Sequence, residues 1–175
     1  HTLSQISALR ERYYKEFPGK ESLIKILNEA EIPEHVYNSN AIENSTLTLE
    51  ETEKILLQID LDRYVTEREI FEAKNLARVT EYIETKAKET EISSSTLLLL
   101  HKMLIANIRD DIAGRFRKEG EWVRVGAHIG ADPKDVEKLV AELLAAYHSD
   151  RARSIVTRIA RLHLMLESIH PFGDG

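Results

Sequence analysis

The chain has 175 residues, 42% of them hydrophobic and 31% charged, with a formal net charge of −6 and no cysteine. That length and balance suit one globular domain with a sizeable core. They exclude disulfides and thiol chemistry, argue against a general affinity for nucleic acid, and fit a reducing cytoplasm.

The longest apolar run, Leu97 to Leu100, ends at His101 and Lys102 and is far too short to span a bilayer. The N-terminal stretch lacks the apolar core of a signal peptide. Leu3, Ile6, Tyr13 and Phe17 mark an amphipathic helix that stops at Pro18-Gly19. Leu23, Ile24, Ile26 and Leu27 fill a short second helix, and Pro33 sits where the first turn of a further helix accepts proline. Thr48 and Glu51 have the spacing of a capping box. A long helix is expected from about Thr66 to Lys88, with Ile70, Ala73, Ala77, Thr80 and Ile83 along one stripe. Ser93 to Ser95 can cap the next helix, which carries Leu97 to Ile108. Asp132-Pro133 opens another, and the last runs to Ile169 with Ile155, Ile159, Leu162, Leu166 and Ile169 on one face. Arg151, Arg153, Arg158 and Arg161 read as a solvated basic face.

One stretch breaks the helical pattern. "GRFRKEGEWVRVGAHIG" places Trp122-Val-Arg-Val between glycines, which reads as a small hairpin. In a helical protein its edges are free to pair with an incoming extended peptide. The alternative is a surface excursion with no role. Trp122 is either a contact for such a peptide or a cover for the hairpin base, and His128 is expected to be exposed.

The chain closes on "IHPFGDG". Pro171 disfavours helical geometry at His170, so the helix finishes there and leaves an imidazole at the mouth of a loop. Such an imidazole is a competent proton acceptor near neutral pH. Phe172 can pin the loop to the core, Gly173 and Gly175 allow backbone N–H groups to converge on an anion, and Asp174 is a hard oxygen ligand suited to Mg²⁺. A rival arrangement uses His163, Glu167 and His170, at i, i+4 and i+7, as part of a transition-metal site for a hydrolase. Without a site, His163 and His101 are structural helix histidines.

"HPFGDG" resembles the first two-thirds of the signature of Fic proteins, His-Pro-Phe-x-Asp/Glu-Gly-Asn-Gly-Arg-x-x-Arg. "SNAIENSTLT" resembles the family's inhibitory motif, filled by Ser39, Glu43 and Asn44. "AGRFRKEGEWVRVGAHIG" is similar to the segment that leads into and forms its target-docking flap, and "RIARLHLMLESIHPF" to the helix that delivers the signature histidine. The likeness runs from about Tyr37 to Gly175.

The resemblance implies an all-α, Fic-like helical bundle with a small β-hairpin flap. Residues 1–92 would be a helical N-terminal part carrying the inhibitory motif, and 93–175 the Fic core. It implies a protein adenylyltransferase that moves AMP from ATP to a Ser, Thr or Tyr hydroxyl of a target protein. His170 would be the general base, Phe172 the anchor, Asp174 the Mg²⁺ ligand, and Gly173 and Gly175 part of the anion cradle. Val123, Arg124, Val125, Gly126 and Ala127 would dock the target backbone. Glu43 would pair with the second signature arginine and block productive seating of the γ-phosphate. Ser39 and Glu43 share a helix face, and Asn44 tolerates the left-handed geometry that ends a helix.

This chain reaches Gly175, before Asn-Gly-Arg-x-x-Arg. As it stands, it is therefore expected to bind ATP weakly, to transfer no AMP, and to leave its last helix short of a packing partner. Removal of AMP by the same fold, and a non-catalytic interaction module, are the remaining alternatives.

Overall fold

The computed structural model describes residues 2–175. Among these it contains seven α-helices and one two-stranded sheet, the all-α architecture expected. Helix α1 (Thr2–Glu16) leads to Gly19, whose φ of +84° makes the turn into α2 (Glu21–Ile42). The apolar residues of α1 remain exposed.

Helix α2 corrects the sequence reading. Pro33 does not begin a helix; it lies inside this one. A proline there removes a backbone hydrogen bond and crowds the preceding turn. Packing outweighs that cost, because α2 lies against both α3 (Leu49–Leu56) and α4 (Glu67–Lys86). Val36, one turn beyond Pro33, is fully buried in a core with Leu47, Ile55, Val65 and Ala73.

Both α3 and α4 begin with complete capping boxes, Thr48 with Glu51 and Thr66 with Glu69. The stripe expected on α4 is buried at Ala73, but Ile83 at its far end is exposed. Helix α5 (Ser94–Leu104) is N-capped by Ser93, as expected, and stops short of Ile108. The buried Asn75 amide of α4 donates to the carbonyls of Leu104 at 2.9 Å and Ala106 at 2.8 Å, and Asn107 turns the chain with a φ of +62°.

Strands β1 (Arg124–Val125) and β2 (His128–Ile129) pair antiparallel, with Arg124 opposite Ile129 and Val125 opposite His128. A short 3₁₀ turn over Pro133–Asp135 then feeds α6 (Val136–Ser149), which packs against α7 (Ile155–Ile169). Val136, Val140, Leu144 and Ile169 form a second core, joined by Leu162 and Leu166. The face expected on α7 therefore divides: its C-terminal half is packed, while Ile155 and Ile159 are exposed. No helix among the described residues is long and apolar enough to cross a membrane.

Candidate active site

The site is assembled where α7 ends. His170 takes φ +48° and ψ +70°, a left-handed conformation uncommon for a residue with a Cβ, while its N–H still donates to the Leu166 carbonyl at 2.9 Å. The following proline forbids another helical turn, and the left-handed residue swings the loop across the bundle. His170 is left half-buried at the rim.

The loop is then fastened at Pro171, Phe172 and Asp174. Pro171 is buried and its carbonyl accepts from the Arg117 N–H at 3.0 Å. Phe172 stacks on His101 with centroids 4.0 Å apart and planes at 11°, and lies 5.6 Å from Phe116. The His101 ring is 3% exposed and bridges two backbone groups. Its Nδ1 accepts from the Gly114 N–H at 3.1 Å, and its Nε2 donates to the Asp174 carbonyl at 2.8 Å. That pattern fixes the neutral tautomer protonated on Nε2. Burial pushes the His101 pKa below its ordinary value, opposed by Asp174.

The two glycines differ. Gly175 has φ +95°, and a Cβ there would lie 2.7 Å from Ile105 Cγ2. Gly173 has no left-handed backbone, and a Cβ there would meet Ile112 Cδ1 at an ordinary 3.5 Å. Of these two glycines, only Gly175 uses the freedom that glycine allows.

Asp174 turns its carboxylate toward α4, where Arg68 Nη2 donates to both oxygens at 2.9 and 3.1 Å. Arg68 Nε also donates to Glu72 at 2.7 Å. Among the described residues, no group of three or more His, Asp or Glu side chains could hold a metal ion. The transition-metal site imagined from His163, Glu167 and His170 is therefore not assembled. His163 and Glu167 lie exposed on α7, and the left-handed backbone takes His170 off the helical path. A lone carboxylate does suit Mg²⁺ held largely by substrate phosphates and water.

The flap residues Val123, Arg124, Val125, Gly126 and Ala127 form one limb and the turn of the hairpin, with Gly126 at φ +58°. Val125 and Ile129 are exposed, as is Trp122 at 58%. His128 is exposed as expected, and its Nε2 also donates to the Ser168 carbonyl of α7 at 2.9 Å.

Ser39, Glu43 and Asn44 lie exposed at the end of α2. Glu43 is its C-cap and Asn44 follows at φ +65°, the left-handed geometry anticipated. The strand-like segment beyond is held on α4, where Glu69 accepts from the Thr46 N–H at 2.9 Å and the Thr46 hydroxyl at 2.6 Å. Those bonds hold the Glu69 carboxyl down at about 2.

Two arginines carry contacts that the sequence did not single out: Arg68, in the first turn of α4, and Arg117, which is 3% exposed. Both act across more than fifty residues of sequence. No local spacing signals such a contact.

Residues 91–175 match the model of the Fic/DOC family. This segment is a Fic domain. The fold agrees. The Fic-containing chain superposes with a TM-score of 0.81 on a Fic family protein from Desulfovibrio desulfuricans, at 27% identity over 99% of this chain and 51% of that one. It superposes equally well, at 0.81, on a Fic domain containing signaling protein from Bacteroides thetaiotaomicron, at 25% identity over 97% of this chain and 66% of that one. A curated relative from Drosophila persimilis, named protein adenylyltransferase Fic, is 30% identical over 148 residues, which cover 81% of this chain and 28% of the relative. The chain thus spans less than a third of that relative's length.

Proposed function

We propose that this chain carries the core of a protein adenylyltransferase, which moves AMP from ATP to a Ser, Thr or Tyr hydroxyl of a target protein. The observation that carries the reading is the pairing of relatives bearing that name with the left-handed helix end that presents His170 at the rim of the loop. In the reaction, the His170 imidazole takes the proton from the target hydroxyl. The freed oxygen forms a bond to the α-phosphorus, the bond to the β-phosphate bridging oxygen breaks, and pyrophosphate leaves. Such a transfer depends mainly on positioning and charge neutralisation. Phe172, His101 and Gly175 hold the loop in place. Asp174 would hold Mg²⁺, which when bound supplies positive charge to the phosphates. That role requires Asp174 to exchange Arg68 for the cation.

Residues 1–92 form a helical part that carries the inhibitory segment Ser39, Glu43 and Asn44, and 93–175 the Fic core. The flap from Val123 to Ala127 takes target backbone by strand addition, for which its two-residue strands leave free edges. The cysteine-free composition suits a reducing, cytoplasmic setting.

The test is incubation of the full-length protein with ATP labelled at the α-phosphate. Label is expected on protein, rising with Glu43→Gly and lost with His170→Ala. Labelling that survives His170→Ala would remove the base from the scheme.

A further inference from the structure

Arg117 is an almost fully buried cation whose guanidinium faces backbone carbonyls. Its Nε donates to the His170 carbonyl at 2.7 Å and its Nη1 to the Glu121 carbonyl at 2.8 Å. Its Nη2 donates to Ala131 at 2.8 Å and Ile169 at 3.2 Å. Burial pushes its pKa down, with Glu121 and Asp132 opposing. Four of the five N–H groups a guanidinium owns are thus committed to carbonyls.

The acceptors fall into two sets. Ile169 and His170 close α7, whose final carbonyls have no partner within the helix and whose last turn contains no basic residue of its own. Glu121 and Ala131 are the two roots of the flap. The backbone joins the same sets through the Ala131 N–H, which donates to Ile169 at 3.1 Å, while the Gly130 N–H closes the hairpin on Val123 at 3.1 Å. Gly130 seals the junction. A Cβ there would lie 2.9 Å from Val123 Cγ2, 3.0 Å from Arg117 Nη2 and 3.2 Å from His170 Cβ.

We propose that Arg117 is a positioning residue that locks both flap roots to the backbone of His170, so that a shift of the flap is transmitted to the imidazole. Its consequence for catalysis rests on His170 being the base and the flap the docking element. A fixed planar fork can span four carbonyls in three stretches of chain, whereas a lysine ammonium is a single point of donation.

The test uses NMR on this chain, with no nucleotide present. Arg117→Lys keeps the charge and loses the span. Amide exchange at Ala131 and His170 is expected to quicken about tenfold, with displaced His170 ring signals and unchanged exchange in α4. A lowered urea midpoint with His170 ring signals at their original positions would reduce Arg117 to a structural cap and overturn the proposal. If Arg117→Lys does not fold, Gly126→Ala decides: its methyl group strains the left-handed flap turn but meets nothing within 4 Å, so His170 ring signals are expected to move, and an unmoved ring in the folded variant overturns the coupling. Because neither readout involves AMP transfer, a chain that transfers nothing can still show the coupling, and an active one can lack it.

Discussion

His101 spends both ring nitrogens on the backbone and its face on Phe172, so it carries the loop in three ways at once. A second proton on Nδ1 would expel the Gly114 N–H. Since the folded ring binds its proton less readily than the unfolded one, the unfolded state takes up more protons as pH falls. The stabilisation is therefore complete above 6.5, the ordinary value, and is lost as pH falls through the lower folded value. Amide exchange at Gly173 to Gly175 is expected to accelerate over that acid window. His101→Phe should keep the ring stack, abolish the acid step, and cost about 2–3 kcal/mol for two stranded backbone groups. Urea titrations at two pH values measure this; an acid step that persists in the phenylalanine variant would assign it to another group. At this scale much of the site was legible. The Pro171 rule located the helix end at His170, and Asn44 announced its left-handed turn. Position 173 does not draw on glycine's freedom, which is used only where the backbone or a neighbour demands it.

At the scale of elements, local chemistry predicts starts better than it predicts ends. Thr48 and Ser93 begin helices as their side chains dictate, since a cap is a contact over three residues. Helix α5 ends where Asn75, from another helix, takes its carbonyls, and α2 runs through Pro33 because two other helices hold it. These are tertiary decisions, invisible in a local window. They make Pro33 a local liability maintained by packing. Pro33→Ala restores a backbone donor inside α2 and is expected to stabilise the protein by about 1–3 kcal/mol. Denaturant midpoints decide the matter, and a lower midpoint would show that the ring's own packing matters more than the missing bond.

At the scale of the molecule, the described residues form two apolar cores, one around Val36 and Ala73 and the other around Val140 and Leu144. Asn75 lies where α4 meets α5, between the helices of the first core and those of the second. It is 2% exposed and its amide serves two carbonyls. Asn75→Leu keeps the branched outline in a larger side chain and leaves both acceptors unpaired, which should cost about 2–4 kcal/mol. Thermal and urea denaturation followed by circular dichroism would register that loss. A wild-type midpoint would mean that water or a shifted helix end satisfies the carbonyls. The two-core arrangement was legible only as a helical class. The cores are set by which helices meet, and an apolar stripe such as that of α7 reads the same whether covered or bare.

Consecutive side chains at the start of α4 face different clients: Arg68 grips the carboxylate of Asp174, and Glu69 grips Thr46 beyond the end of α2. Neighbours on a helix diverge by about 100° around its axis. One extra residue slipped into that turn would rotate one grip away as it delivered the other, so the turn tolerates exchange of side chains far better than any change in its count. The spacing between those two positions is thus a fixed gauge, against which the segment after α2 and the loop after α7 are set.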